Sequence, residues 1–283
     1  MTALATRPLR TDSRALDLAE HLADVLPKRA GVPWTASPGT AWWTTSPAAR
    51  LTHGHRSLLL VLTVNGVDVG WQLPDRAPLA PDFRILGTTP ETITADLLRL
   101  VLPVLDDELA RRARTDIPAH VLRLPLLAEI GAAMRAQGAA TIERPAFIIG
   151  ASTVIWSSGG LRYSATFHGS NPACDVQIQG PLRAAERAVV RFLPAATAYG
   201  RPVRPAGIRG RLERRIAQTL AAHGPVEQLD GKGLAFGGGS GPYGYVAASP
   251  DPAAKAHDIT PVSVDVHGVG VDLLVSLAPY LAR

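Results

Sequence analysis

The sequence predicts an α+β protein of three tandem α-β-β-β-α units, each an antiparallel sheet with helices on one face. Three observations carry this expectation. Short segments alternate apolar and polar residues with period two, the pattern of a half-covered antiparallel sheet. Pairs of turn residues separate these segments. A strand, a single Gly, a helix and a Pro then recur in that order three times along the 283 residues.

Each unit is expected to open with a helix. Leu18, Leu22 and Val25 mark the apolar face of the first, with Asp12 or Ser13 as its cap. Leu126, Ile130 and Met134 mark the second, and Ile208, Leu212, Ile216 and Leu220 the third. These spacings of three and four place the side chains on one stripe.

A hairpin follows in each unit. The first pairs Ser57–Val64 with Val67–Leu73 across Asn65-Gly66, a dipeptide suited to a type I′ turn. The second pairs Thr153–Ser157 with Leu161–His168 across Gly159-Gly160. The third pairs Gly233–Gly237 with Tyr243–Ser249 across the Gly-rich stretch Gly238–Pro242. An extra short strand fits the spacing.

Each unit closes on a strand, a Gly and a helix. Phe83–Leu86 leads through Gly87 to a helix ending near Leu102-Pro103, with Thr89 as cap and Pro90 at its first position. Asp175–Gln179 leads through Gly180 to a helix ending near Leu193-Pro194. Val262–His267 leads through Gly268 to a helix ending near Ala278-Pro279. Pro has no N–H for the helical ladder, so it reads as a stop. Linkers are expected near Arg114–Pro118 and Gly200–Pro205, which sets the units at 1–116, 117–203 and 204–283.

Composition limits the function classes. Hydrophobic residues make up 46% of the chain and charged residues 19%, enough apolar material for packed cores. No apolar run approaches the ~20 residues of a membrane span, and the first thirty residues lack the apolar core of a signal peptide. The reading is a soluble, cytoplasmic protein without a membrane partner. Cys174 is the single cysteine, so neither an internal disulfide nor a Cys-based zinc site can form.

The main charge feature lies between residues 183 and 215. Arg183, Arg187, Arg191, Arg201, Arg204, Arg209, Arg211, Arg214 and Arg215 stand there against two acids, Glu186 and Glu213. The net charge of the whole chain is +5, so this stretch outweighs everything else. Arg183, Arg187 and Arg191 recur every fourth residue and are expected to form one stripe on a helix. Such a cluster can neutralise several phosphates at once.

Other constellations carry less chemistry. The run Gly237–Gly244 leads into a strand, whereas a phosphate loop must lead into a helix. His53 and His55 could share a strand face, but a metal site needs more ligands than two. Ser263, Asp265 and His267 alternate along one strand, which does not create a nucleophile–base–orienter geometry. Trp42 and Trp43 on one strand would point to opposite faces, one inward and the other either packed under a neighbouring unit or exposed for stacking or a protein contact.

The α-β-β-β-α order resembles the topology of double-stranded-RNA-binding domains. Gly241-Pro242-Tyr243-Gly244 matches part of that family's Gly-Pro-x-His loop without the His, and Arg183 and Arg187 stand at a helix start as its Lys residues do. No unit carries both features, so the likeness covers topology alone.

The expectation is a non-enzymatic binding protein that contacts nucleic acid, DNA or RNA, through its Arg-rich junction. The alternative is a protein-interaction or scaffold module in which a sheet face or the Trp42/Trp43 pair meets another protein. No cofactor, metal or catalytic residue is expected.

Overall fold

The computed structural model describes residues 11–73, 78–113, 119–146, 150–195, 207–229, 233–238, 241–247 and 256–283. The two expected linkers, and with them Arg201 and Arg204, lie outside the described residues. The chain is mixed α+β with two antiparallel sheets, of five and of eight strands. It divides into two compact units, Met1–Leu97 and Leu98–Arg283.

The first unit begins with α1 (Thr11–Val25) and continues as a meander of β1 (Thr35–Gly39), β2 (Ala48–His53), β3 (Arg56–Thr63), β4 (Gly66–Trp71) and β5 (Phe83–Leu86). Ala15, Ala19, Leu22 and Ala23 are buried on α1, as is Leu26 just past its end, while Val25 is exposed. The helix therefore faces the sheet through small residues, on a stripe displaced from the expected Leu18/Val25 line. Asp12 and Ser13 fall inside α1, not ahead of it.

The β3–β4 hairpin departs from expectation by one residue. Thr63 pairs with Gly66, so the two-residue loop is Val64-Asn65, with Val64 94% exposed. Gly66 belongs to β4 and Asn65 keeps a negative φ, so no type I′ turn forms. Strand β5 decides the outcome. A Cβ on Gly66 would run into the carbonyl oxygen of Ile85, so the glycine is needed for that close approach and the turn moves back. The I′-like geometry appears instead at Gly159 (φ 57°) and Gly160 (φ 78°), where Ser158 pairs with Leu161.

Strand β4 is buried along its whole length. Asp68 on this strand is held by Arg84 through two hydrogen bonds of 2.7 and 3.2 Å. Trp43 packs on Ala41, Ala48 and Val61, and a Cβ on Gly70 would strike its ring. Trp42 is 73% exposed. Both tryptophans sit in the β1–β2 connection rather than on a strand.

From Thr89, whose side chain accepts from Thr92 N–H, the chain enters α2 (Pro90–Asp96). A π-helical turn, Leu97–Val101, then leads into α3 (Leu102–Ala113). Pro103 does not end the helix as expected. It follows the π turn, whose wider ladder can absorb the residue that lacks an N–H.

The second unit continues with α4 (Ala119–Ala136), β6 (Thr141–Arg144), β7 (Ser152–Ser158), β8 (Leu161–Phe167), β9 (Cys174–Pro181) and α5 (Leu182–Val189). It then repeats the order as α6 (Arg211–Leu220), β10 (Val226–Leu229), β11 (Gly233–Gly237), β12 (Tyr243–Val246), β13 (Pro261–Val269) and α7 (Val271–Leu281). The expected second and third units do not own separate sheets. Their strands form one sheet in the order β10-β11-β12-β13-β9-β8-β7-β6. The join runs from Pro261–Pro181 to Val269–Cys174. Each half ends in a strand with one open row of N–H and C=O groups, and antiparallel pairing of β9 with β13 satisfies both rows. Local alternation cannot distinguish a paired edge from a bare one.

One face of this sheet is apolar. It carries Val154, Trp156, Tyr163, Phe167, Val176, Ile178, Val264, Val266, Leu234 and Phe236, all buried. α4 lies against β6 and β7, α5 against β9 and β13, α6 against β11, and α7 against α4. The inward stripe of α4 is Leu127, Ile130 and Met134, with Arg123 one turn earlier donating to Gly150 O at 2.7 Å. Leu126, expected on that stripe, is half-buried. Pro279 sits within α7, and Pro194 lies beyond α5.

Candidate functional site

The Arg-rich junction falls on α5, α6 and the segments that flank them. Leu182, Ala185, Ala188 and Val189 bury one side of α5, which leaves Arg183 and Arg187 on its exposed side. Arg191 lies past the helix end, its guanidinium 4.3 Å from the ring centre of Tyr280. The expected three-residue stripe is therefore two residues of helix and one of turn. Leu212, Ile216, Ala217 and Leu220 bury the inner side of α6. Arg209, Arg211 and Arg214 are exposed, and Arg214 Nε donates to Gly210 O at 3.0 Å.

Arg215 joins the two helices. Its Nη2 donates to Glu186 Oε2 at 3.1 Å and to Asp258 Oδ1 at 2.6 Å, and its Nη1 to Ala256 O at 3.2 Å. Arg183 Nη1 reaches Asp258 Oδ2 at 3.1 Å, and Thr219 Oγ1 donates to Glu186 Oε1 at 3.3 Å. The hydrogen bond from Arg215, aided by Arg183, holds the Asp258 carboxyl below its ordinary range, and Glu186 and Asp258 push the Arg215 guanidinium up. Asp258 is the participant that sequence reading missed. It lies 43 positions from Arg215, outside any local charge window.

The face of the eight-stranded sheet turned away from α4, α5 and α6 is mostly polar. The register lines up Ala235, Tyr245, Asp265, Gln177, Ser164, Ile155 and Ile142 across neighbouring strands. A second row holds Gly237, Tyr243 and His267, then Asp175, Thr166, Thr153 and Arg144. Tyr243 and Tyr245 are 43% and 40% exposed. The His267 ring stacks on Tyr243 at 5.3 Å and meets Tyr245 edge-on at 5.6 Å.

Hydrogen bonds knit this face. Gln177 donates to Asp265 at 3.0 Å, and Gln179 to Gln177 at 3.1 Å. Asp175 stands between two imidazoles, 3.0 Å from His267 Nδ1 and 3.5 Å from His168 Nε2. His267 is thus engaged with Asp175, not with Asp265 of its own strand, and no Ser–His–Asp relay exists there. A period-two pattern marks the face as polar, but only the register reveals which strands carry neighbouring residues.

His53 ends β2 and bonds Val32 O at 3.0 Å, whereas His55 lies in the turn, so they do not share a strand face. Among the described residues, no group of His, Cys, Asp and Glu could hold a metal ion. No described helix is long and apolar enough to cross a membrane. A groove of about 660 Å³ in the first unit runs between Leu18 and His21 of α1 and Leu62, Gly66 and Ile93. Compared with known proteins, the chain matches no family model, no curated protein and no solved structure.

Proposed function

We propose that the protein is a non-enzymatic binding protein that contacts nucleic acid through the Arg surface of α5 and α6. The observation that supports this reading is the Glu186–Arg215 ion pair. It brings the two helices together, so that Arg187 and Arg211, each within a turn of the pair, flank it from different helices. Arg183 and Arg215 share the carboxylates of Glu186 and Asp258. Phosphate contact therefore falls to Arg187, Arg209, Arg211 and Arg214. Spaced guanidinium groups of this kind suit phosphate oxygens better than a pocketed ligand.

The test is an anisotropy titration of the full chain with a labelled duplex and a labelled single strand, across a salt series. Binding should weaken as salt rises. Replacing Arg187, Arg211 and Arg214 by Gln should lower the log–log slope by roughly two to three, at about 0.9 per lost phosphate contact on B-DNA. No binding at low salt, or an unchanged slope, replaces this reading with the second one.

The second reading is a protein-interaction module, supported by the exposed Trp42 indole. Tryptophan is enriched among residues that anchor interfaces. A three-unit organisation, 1–116, 117–203 and 204–283, is supported by the recurring order of helix, antiparallel strands and helix. In it the second and third copies share their sheet.

A further inference from the structure

We propose that the open polar face of the eight-stranded sheet is a self-association surface, and that its occupant is the same face of a second copy of this chain. This goes beyond the Arg surface and does not depend on it. That surface lies on α5 and α6, which pack on the sheet's other side.

The argument rests on how the face is laid out about β9. To one side lie β13, β12 and β11, carrying Asp265, Tyr245 and Ala235 in one row. To the other lie β8, β7 and β6, carrying Ser164, Ile155 and Ile142 in the same row. A two-fold axis running along β9, midway between two facing sheets, lays β13 over β8, β12 over β7 and β11 over β6. Each residue then meets a suitable partner on the second copy. Tyr245 meets Ile155, an aromatic ring against a branched aliphatic chain. Ala235 meets Ile142, the small residue under the large exposed one. Asp265 meets the Ser164 hydroxyl. Gln177 meets Gln177, and an amide can both donate to and accept from its own kind.

The remaining rows agree with this. Tyr243 faces Thr153, and Ser263 faces Arg162, whose guanidinium lies diagonally from Asp265. The acids Asp265 and Glu227 lie on one side of β9 and the cations Arg162 and Arg144 on the other. The rotation therefore brings opposite charges together. Asp175 returns near its own counterpart, but its oxygens already face His267 and His168. Such reciprocal matching is what an isologous interface requires.

The size also fits. From β11 to β6 the strands span roughly 30 Å at about 4.8 Å each, and three residue rows cover about 20 Å, which gives roughly 600–700 Å² per copy. That reaches the lower end of the roughly 600–1,000 Å² per partner that stable pairs bury. Facing sheets pack about 10 Å apart, within reach of tyrosine and isoleucine side chains.

The test measures mass by sedimentation on the full chain over a concentration series. The wild-type chain should pass from 29.9 kDa to twice that mass. Tyr245→Arg alone and Ile155→Asp alone should each remain monomeric, because each leaves a charge against an apolar partner. An equimolar mixture of the two variants should recover the dimer, since the new side chains then oppose each other as an ion pair. A chain monomeric at all concentrations overturns the proposal. So does a wild-type dimer that both variants leave intact, which would place the contact elsewhere. Should either variant fail to fold, Gln177→Cys supplies the check. Its thiols should be joined by a short bismaleimide into a dimer, while Arg187→Cys should not cross-link, Cys174 being buried. Equal cross-linking of both overturns it.

Discussion

Trp156 and Leu281 are tied together across 125 positions of the chain, the indole Nε1 donating to the Leu281 carbonyl at 2.9 Å. The same indole stacks on Tyr163, 5.1 Å between centres and 7° from parallel. Trp156 is fully buried, so its removal leaves a carbonyl that water cannot reach easily. Trp156→Phe should keep the stacking but lose the bond, at a cost of about 1–3 kcal/mol. Urea unfolding of the variant, followed by circular dichroism, measures the difference.

Gly66 offers a sharper test of the sheet register. Gly66→Ala places a Cβ against the Ile85 carbonyl, and a backbone that cannot accept the new side chain loses more than about 1 kcal/mol. Asn65→Ala, in the exposed turn, should change stability by less than about 0.5 kcal/mol. Equal thermal shifts for the two variants would contradict the register described for β3, β4 and β5.

The Asp258 clasp predicts a pH dependence. Arg215 lowers the folded-state pKa of Asp258 beneath its ordinary value. The stabilisation is therefore complete above that ordinary value and disappears as pH falls through the lowered one. Denaturation midpoints of the wild type and Asp258→Asn should differ most at neutral pH and converge in strong acid. A gap that widens on acidification would have the wrong sign.

Cys174 serves as a probe of opening. Burial pushes its thiol well above the usual range, and Sγ lies 3.4 Å from Val269 O, between β9 and β13. A thiolate is needed for alkylation. Iodoacetamide should therefore label the native chain at the rate at which these strands separate. Val269→Ala, which loosens that packing, should accelerate labelling.

What could be read from the sequence follows how local each cause is. The Gly159-Gly160 turn and the Ile216/Leu220 stripe depend on neighbours within a few residues, and both appear where expected. The Val64-Asn65 turn depends on β5, which arrives twenty residues later. Arg123 looks like a surface residue until Gly150 O is brought to it. Within the Arg junction, the positions of Arg183, Arg187, Arg211 and Arg214 on exposed helix sides were legible from the apolar stripes. The pairing of Arg183 and Arg215 was not, because Asp258 lies on a distant segment. The open face was legible as polar alternation, whereas the row from Ala235 to Ile142 needed the strand order.

The β9–β13 seam has a consequence for how the chain acquires its shape. While residues are still being added, the helix-and-strand block from α4 to α5 has an unpaired edge at β9 and no α7 to pack on α4. Its burial is therefore completed by a segment made much later, and contacts of such long sequence separation form slowly. Until then β9 offers its free amides and carbonyls to any strand nearby. Pro181 at one end of β9 and the polar residues on its outer face shorten that vulnerable stretch. The interval between making β9 and making β13 is thus when this protein is most exposed to mispairing, and slower synthesis across residues 190–260 would prolong it.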